Sequence, residues 1–262
     1  MDASTLPVEP AVALPRCSAA VRRVGPMFVR SIVADAFATN CYVMAPAEGE
    51  ECLIVDPGIG VEDRVQDVLA EHRLRPAAVL LTHGHLDHVY AVTPVCQGTT
   101  AVSPYIHTDD RYRLTDPLAT MSPELVAALE QQFGRRATWT EPERIVEFGA
   151  AGEDHTTLDL AGLRIEVAHA PGHTEGSVLF TAHDVPDGIP SDDLDRTVLS
   201  GDVLFAGSVG RTDLPGGDAA AMRRSLRDVV LPLADSSLVL PGHGPATTMA
   251  RERGTNPYLT SL

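Results

Sequence analysis

The sequence predicts an α/β fold in which helices pack outside a sheet. Two observations carry that expectation: short apolar runs closed by turn residues recur along the chain, and amphipathic helical spacings fall between them. A length of 262 residues, with 44% hydrophobic and 21% charged residues, fits a globular domain with a substantial core.

Residues 28–33, 40–44 and 52–55 have the composition of strands, the last closed by Asp56-Pro57-Gly58. Val61, Val65, Val68 and Leu69 then follow the spacing of one helix face. Residues 77–81 read as a buried strand running into a histidine-rich turn. Residues 109–147 look helical and irregular, with one helix expected between Ser122 and Phe133. Strands resume at 164–168, 178–181 and 197–199, and the stretch 184–195, with Pro186, Gly188 and Pro190, reads as an exposed loop. A helix over 218–230 precedes a strand at 238–240. Residues 1–26 are rich in Pro and Ala without periodicity, so they read as a flexible leader to a domain spanning 27–262.

Asp and Glu number 36 against 20 Lys and Arg, a formal charge of −16. Such a surface repels phosphate backbones and anionic lipid, so neither nucleic acid nor a membrane is expected as a partner. No apolar run approaches membrane-spanning length, and the N-terminal stretch lacks the pattern of a signal peptide. Cys17, Cys41, Cys52 and Cys96 form no C-x-x-C pair. Reduced thiols in a cytoplasmic protein are the expectation, with Cys41 and Cys52 buried in strands.

The densest chemical signal is Thr82-His83-Gly84-His85-Leu86-Asp87-His88, an H-x-H-x-D-H motif at the end of a strand. A turn there can aim several short side chains at one point, and imidazole and carboxylate suit a borderline divalent metal such as zinc. His173 in Pro-Gly-His-Thr, Asp202 in Ser-Gly-Asp and His243 in Pro-Gly-His-Gly-Pro each follow an expected strand and sit beside glycine. Singly, each is more often a structural turn; together and in this order they form a candidate ligand set.

That order resembles the metallo-β-lactamase superfamily over most of the chain from Met27 onward. The resemblance implies a four-layer αβ/βα sandwich with metals at one edge of the paired sheets. It implies that His83, His85 and His173 bind one divalent metal, that Asp87, His88 and His243 bind a second, and that Asp202 bridges them. Zinc is the expected metal, with iron or manganese compatible. Residues 201–205 and 210–218, and the run from Pro241 to Tyr258, are similar to hydrolases of the glyoxalase II type. The implied activity is cleavage of a small-molecule thioester, hydroxyacylglutathione-like, by a hydroxide bridging the metals, with Asp87 both ligating and orienting it. Full-length glyoxalase II carries a further helical domain after its last histidine ligand. Here only Arg251, Arg253 and Tyr258 follow His243 as candidate substrate contacts, which leaves the thiol open.

Alternatives remain at this point. A mononuclear-iron persulfide dioxygenase of the same fold shares the Gly-Arg-Thr-Asp segment at 210–213, and a lactonase or a non-enzymatic metal-binding regulatory module would keep similar ligands. Arg211 is a candidate anion contact, equally readable as a surface arginine. Asp56 is either a partner of a ligand histidine or only a turn residue. His169 reads as structural, His72, His107, His155 and His183 as solvated, and Trp139 and Phe133 as packing.

Overall fold

Period-two alternation in the first strands decides which layer each side chain enters. Cys41, Val43 and Ala45 face one side of their strand, and Tyr42 and Met44 the other. The computed structural model describes residues 26–97, 102–134, 136–149, 155–190 and 193–262. Residues 1–25, the bulk of the expected leader with Cys17, lie outside the described residues.

The first sheet holds β1 (Phe28–Val33), β2 (Asn40–Ala45), β3 (Glu51–Val55), β4 (Arg75–Leu80), β5 (Ser103–His107) and β6 (Val146–Phe148), in that spatial order. β1, β2 and β3 pair antiparallel, and β3 to β6 are parallel. Parallel neighbours need crossovers. The first is α1 (Glu62–Glu71), which buries Val65 and Leu69 as its spacing required. Short helices α2 (Leu86–Val89) and α3 (Val92–Cys96) lie between β4 and β5. Between β5 and β6 come 3-10 helices over Thr108–Leu114 and Pro117–Thr120, then α4 (Pro123–Phe133). The Ser122 hydroxyl caps α4 by accepting from the Leu125 amide, and Gly134, at φ 61°, ends it in the left-handed region.

The second sheet contains β7 (His155–Leu160), β8 (Leu163–His169), β9 (Val178–Ala182) and β10 (Arg196–Gly201). After the hairpin β11 (Leu204–Phe205) and β12 (Ser208–Val209) it resumes with β13 (Ser237–Pro241) and β14 (Thr247–Thr248). Its spatial order is β14-β13-β10-β9-β8-β7, with only β10 and β13 parallel. Their crossover is α5 (Ala219–Ser225), which passes directly into a π-helical turn over Leu226–Val230. The Asp218 carboxylate accepts from the Ala220 and Ala221 amides, a cap that contributes about 1 kcal/mol. Helices α6 (Met249–Thr255) and α7 (Pro257–Thr260) follow β14.

Three apolar layers result. Leu53, Val55 and Leu80 meet Ile165, Phe180 and Leu199 between the sheets. Val43, Ile54 and Val79 pack under α1 and α3 outside the first sheet. Leu179, Val198 and Val239 pack under Met222, Leu226 and Met249 outside the second. Helix, sheet, sheet and helix thus form the four-layer sandwich anticipated from the ligand order.

Six of the described strands escaped sequence reasoning, among them the two-residue β11, β12 and β14. Pro104 disguises β5, β6 has three residues, and β7 is an edge strand with no fully buried side chain. The expected helix over 218–230 is present but changes hydrogen-bond pattern at Leu226. Among the described residues no helix is long and apolar enough to cross a membrane.

Candidate metal centre

Seven side chains from both halves of the sandwich meet at one end of the sheets. The turn after β4 carries His83 and His85, and α2 carries Asp87 and His88. The turns after β8, β10 and β13 deliver His173, Asp202 and His243. Chain ends of parallel strands are where such sites form in α/β folds, because loops rather than ladder bonds occupy that edge. The first sheet is laced to the last of these turns: the Asn40 amide donates to Gly242 O at 2.7 Å, and the Tyr42 hydroxyl to Pro241 O at 2.8 Å. Gly242 is required by close approach, since a Cβ there would run into the Asp202 carboxylate and lie 2.6 Å from His88 Cε1.

Donor atoms of His83, His85 and His173 lie within 4.8 Å of one another, as do those of Asp87, His88 and His243. Asp202 stands between the groups. Its Oδ1 is 3.3 Å from His88 Nε2, and its Oδ2 is 3.4 Å from both His173 Nε2 and His243 Nε2. His85 Nδ1 is 2.8 Å from His173 Nε2, and His243 Nε2 is 3.2 Å from Asp87 Oδ2. The structure therefore brings together all seven residues named from the sequence.

The outward-facing ring nitrogens fix the tautomers. His88 Nδ1 donates to Asp56 Oδ2 at 3.0 Å, His173 Nδ1 to Arg211 O at 2.8 Å, and His243 Nδ1 to Phe37 O at 3.1 Å. Thr82 gives its hydroxyl proton to Asp56 at 2.5 Å, so its oxygen is free to accept from His83 Nδ1 at 3.1 Å. Each of these four rings then turns its Nε2 inward, where the deprotonated form would offer a lone pair. Asp56, buried with φ 49°, is a partner of His88 as well as a turn residue.

Charge divides the cluster. Burial, followed by neighbouring imidazoles, holds His83 well below the ordinary histidine value, and burial lowers His173. Burial and then the charges of His173 and Arg113 take His85 down to about 3. Burial opposes the protonated form of His88 too, yet Asp202 and Asp87 hold it well above the ordinary value. His243 rises to about 9 against burial through contacts with the same two carboxylates. Burial would raise Asp87, but His88 and His243 hold it at about 2.

The donor set fits a divalent pair. His83 Nε2 is buried with no hydrogen-bond partner, and Asp202 Oδ1 meets only the His88 ring at 3.3 Å, an arrangement that is costly unless a cation accepts their lone pairs. Five imidazoles and two carboxylates supply at least three donors to each of two positions, and deprotonation of His88 and His243 accompanies loading.

The centre floors a cleft of about 600 Å³ walled by Phe37, Met121, Leu125, Phe205 and Leu214, with Arg113 and Arg211 at its polar side. Phe37 and Ala38 both have left-handed backbone, φ 61° and 55°, which costs about 1–2 kcal/mol each. That turn places Phe37 at the mouth and its carbonyl on His243. The Arg211 guanidinium reaches the cleft but is held by Asp213 through two 2.7 Å bonds; its carbonyl orients His173. Arg113 was missed from the sequence because the run Asp109-Asp110-Arg111-Tyr112-Arg113 reads as solvated. It is buried between Asp110 and Glu175.

His107 corrects an expectation of solvation. It is buried at the end of β5 and stacked on His169 at 4.0 Å and 15°. With Asp109 these two form a further His/Asp cluster. Near-parallel rings cannot both direct lone pairs at one ion, and His169 Nε2 donates to Glu175 O at 2.7 Å, so the pair is a packing contact. His155 and His183 are exposed as anticipated, and Trp139 packs on the outer layer while donating to Leu114 O at 2.9 Å.

Comparison with known proteins agrees with this geometry. A family model described as the metallo-beta-lactamase superfamily matches residues 34–243. The hydroxyacylglutathione hydrolase GloC of Haemophilus influenzae is 34% identical over 236 residues, covering 90% of this chain and 99% of that protein. Among solved structures, the BLEG-1 B3 metallo-beta-lactamase has a TM-score of 0.69 at 33% identity, covering 89% of this chain and 100% of its own. TTHA1623, in a di-iron-bound form, has a TM-score of 0.66 at 33% identity, covering 88% and 100%.

Proposed function

We propose that this chain, which belongs to the metallo-beta-lactamase superfamily, is a two-metal hydrolase of small-molecule thioesters resembling hydroxyacylglutathiones. The observation that carries the reading is the completeness of both donor groups around Asp202. His83, His85 and His173 would hold one cation and Asp87, His88 and His243 the other, with Asp202 shared. Such a pair, zinc by preference, supplies Lewis acidity and a water acidic enough to ionise near neutral pH. The likeness to the hydroxyacylglutathione hydrolase GloC supports the thioester assignment.

The chain's own groups do the rest. Asp87 is fixed by the Thr39 hydroxyl, which donates to its Oδ2 at 2.9 Å, and so can orient the attacking water. Phe37, Leu125 and Phe205 shield the reacting carbonyl from bulk solvent. A thiol of pKa about 8.5 leaves as its thiolate with little help from a general acid.

Zinc-loaded protein should release thiol from S-lactoylglutathione without consuming oxygen. His88→Ala should lower that rate by about 100-fold or more. Oxygen uptake on glutathione persulfide that requires iron and survives His88→Ala would replace the hydrolase with the dioxygenase reading.

A further inference from the structure

Asp110 is fully buried at the start of the turn after β5, far in sequence from the Gly84, Thr174 and Gly176 groups it holds. Four donors fill its carboxylate. Oδ2 accepts from the Gly84 amide at 2.7 Å and from the Thr174 hydroxyl at 2.7 Å. Oδ1 accepts from the Gly176 amide at 2.9 Å and from Arg113 Nε at 3.2 Å. Gly84 lies between His83 and His85, and Thr174 follows His173. One carboxylate oxygen therefore ties together the two turns that carry the first donor group.

The hydroxyl order around it is fixed. Ser177 Oγ accepts from the Thr174 amide at 3.1 Å and lies 2.8 Å from Thr174 Oγ1. Because Thr174 gives its proton to Asp110, Ser177 donates to Thr174, and every proton in the chain of bonds has one place. A carboxylate with all acceptor positions filled cannot rotate without leaving a buried donor unpaired. The glycines complete the fit: a Cβ on Gly84 or Gly176 would sit 2.7 Å from Arg113 or Asp110 side-chain carbon.

We propose that Asp110 is a positioning residue that sets the spacing of His83 and His85 against His173, and so the affinity of that subsite alone. The inference rests on the reading that these histidines hold a metal. It does not depend on the thioester substrate. The second group, Asp87, His88 and His243, is positioned through Asp56, Thr39 and Phe37, none of which touches Asp110.

The test measures zinc affinity by chelator competition in two backgrounds. His243→Ala isolates the first subsite, and His85→Ala isolates the second. Adding Asp110→Asn should weaken zinc by about 10- to 100-fold in the first background and leave the second within about threefold. Cobalt-loaded protein should show altered ligand-field bands only in the first. Thr174→Val, which deletes one arm with little change of shape, should act in the same direction, and Thr174→Ser should restore the wild-type value. If Asp110→Asn does not fold, the Thr174 pair decides alone. Equal weakening of both subsites, or none in either, would overturn the proposal. Wild-type protein that takes up two zinc ions and releases no thiol would instead remove the thioesterase reading and leave this one intact.

Discussion

Asp56 Oδ2 lies 3.0 Å from His88 Nδ1 and also accepts the Thr82 hydroxyl proton at 2.5 Å. One buried carboxylate thus orients His88 directly and His83 through a hydroxyl, so the two inward Nε2 atoms share a common support. Asp56→Asn tolerates the left-handed backbone at φ 49° but removes the charge and offers a donor where acceptors are needed. Zinc affinity should fall by about 10- to 100-fold. Unchanged affinity in a chelator titration would sink the assignment.

Asp202 approaches ligands of both groups, His173 of the first and His88 and His243 of the second, whereas His243 Nε2 meets Asp87 and His88 of its own group and the shared Asp202. Asp202→Ala should therefore reduce both equivalents of bound metal, and His243→Ala mainly one. Elemental analysis of the two purified variants checks this. Two full equivalents in Asp202→Ala would exclude a bridging role.

Gly242→Ala adds one methyl group against Asp202 and His88. Overpacking of this kind costs about 1–3 kcal/mol, and here the atoms that must move are ligand atoms. Metal content should drop further than the melting temperature alone would suggest. A variant with normal metal content and a lowered melting temperature would contradict that coupling.

The parts legible in the sequence were those with a local cause. Cys41 to Met44 is an unbroken apolar run, as a strand buried on both faces must be, so composition revealed β2; Gly beside each of His173, Asp202 and His243 marked turns built for close approach. Asp110 and Arg113 were invisible because nothing local distinguishes a buried ion pair from a solvated one. Their burial comes from Gly84, Thr174, Gly176 and Glu175, supplied by remote turns. His107 was misread for the same reason, since its partner His169 lies on the opposite sheet.

Burial pushes the Cys52 and Cys96 thiols up to about 12 and Cys41 higher still. Thiolate is the reactive form, so none of the three should react with a disulfide reagent at pH 8 while folded. A Cys17→Ser variant isolates them: no colour should develop natively, and three equivalents should appear in denaturant. Rapid native labelling would show that the layers holding them open.

The lacing of β2 to the turn after β13 has a consequence for how the protein is made. Asn40 and Tyr42 close onto Gly242 and Pro241, and His243 completes the second donor group. During synthesis the first sheet emerges long before its cover, with Leu53, Val55 and Leu80 awaiting partners near the other end of the chain. Pairings so distant in sequence close late. The nascent chain therefore passes through a stage with an open apolar face, and the second donor group can be completed only once residue 243 has cleared the ribosome.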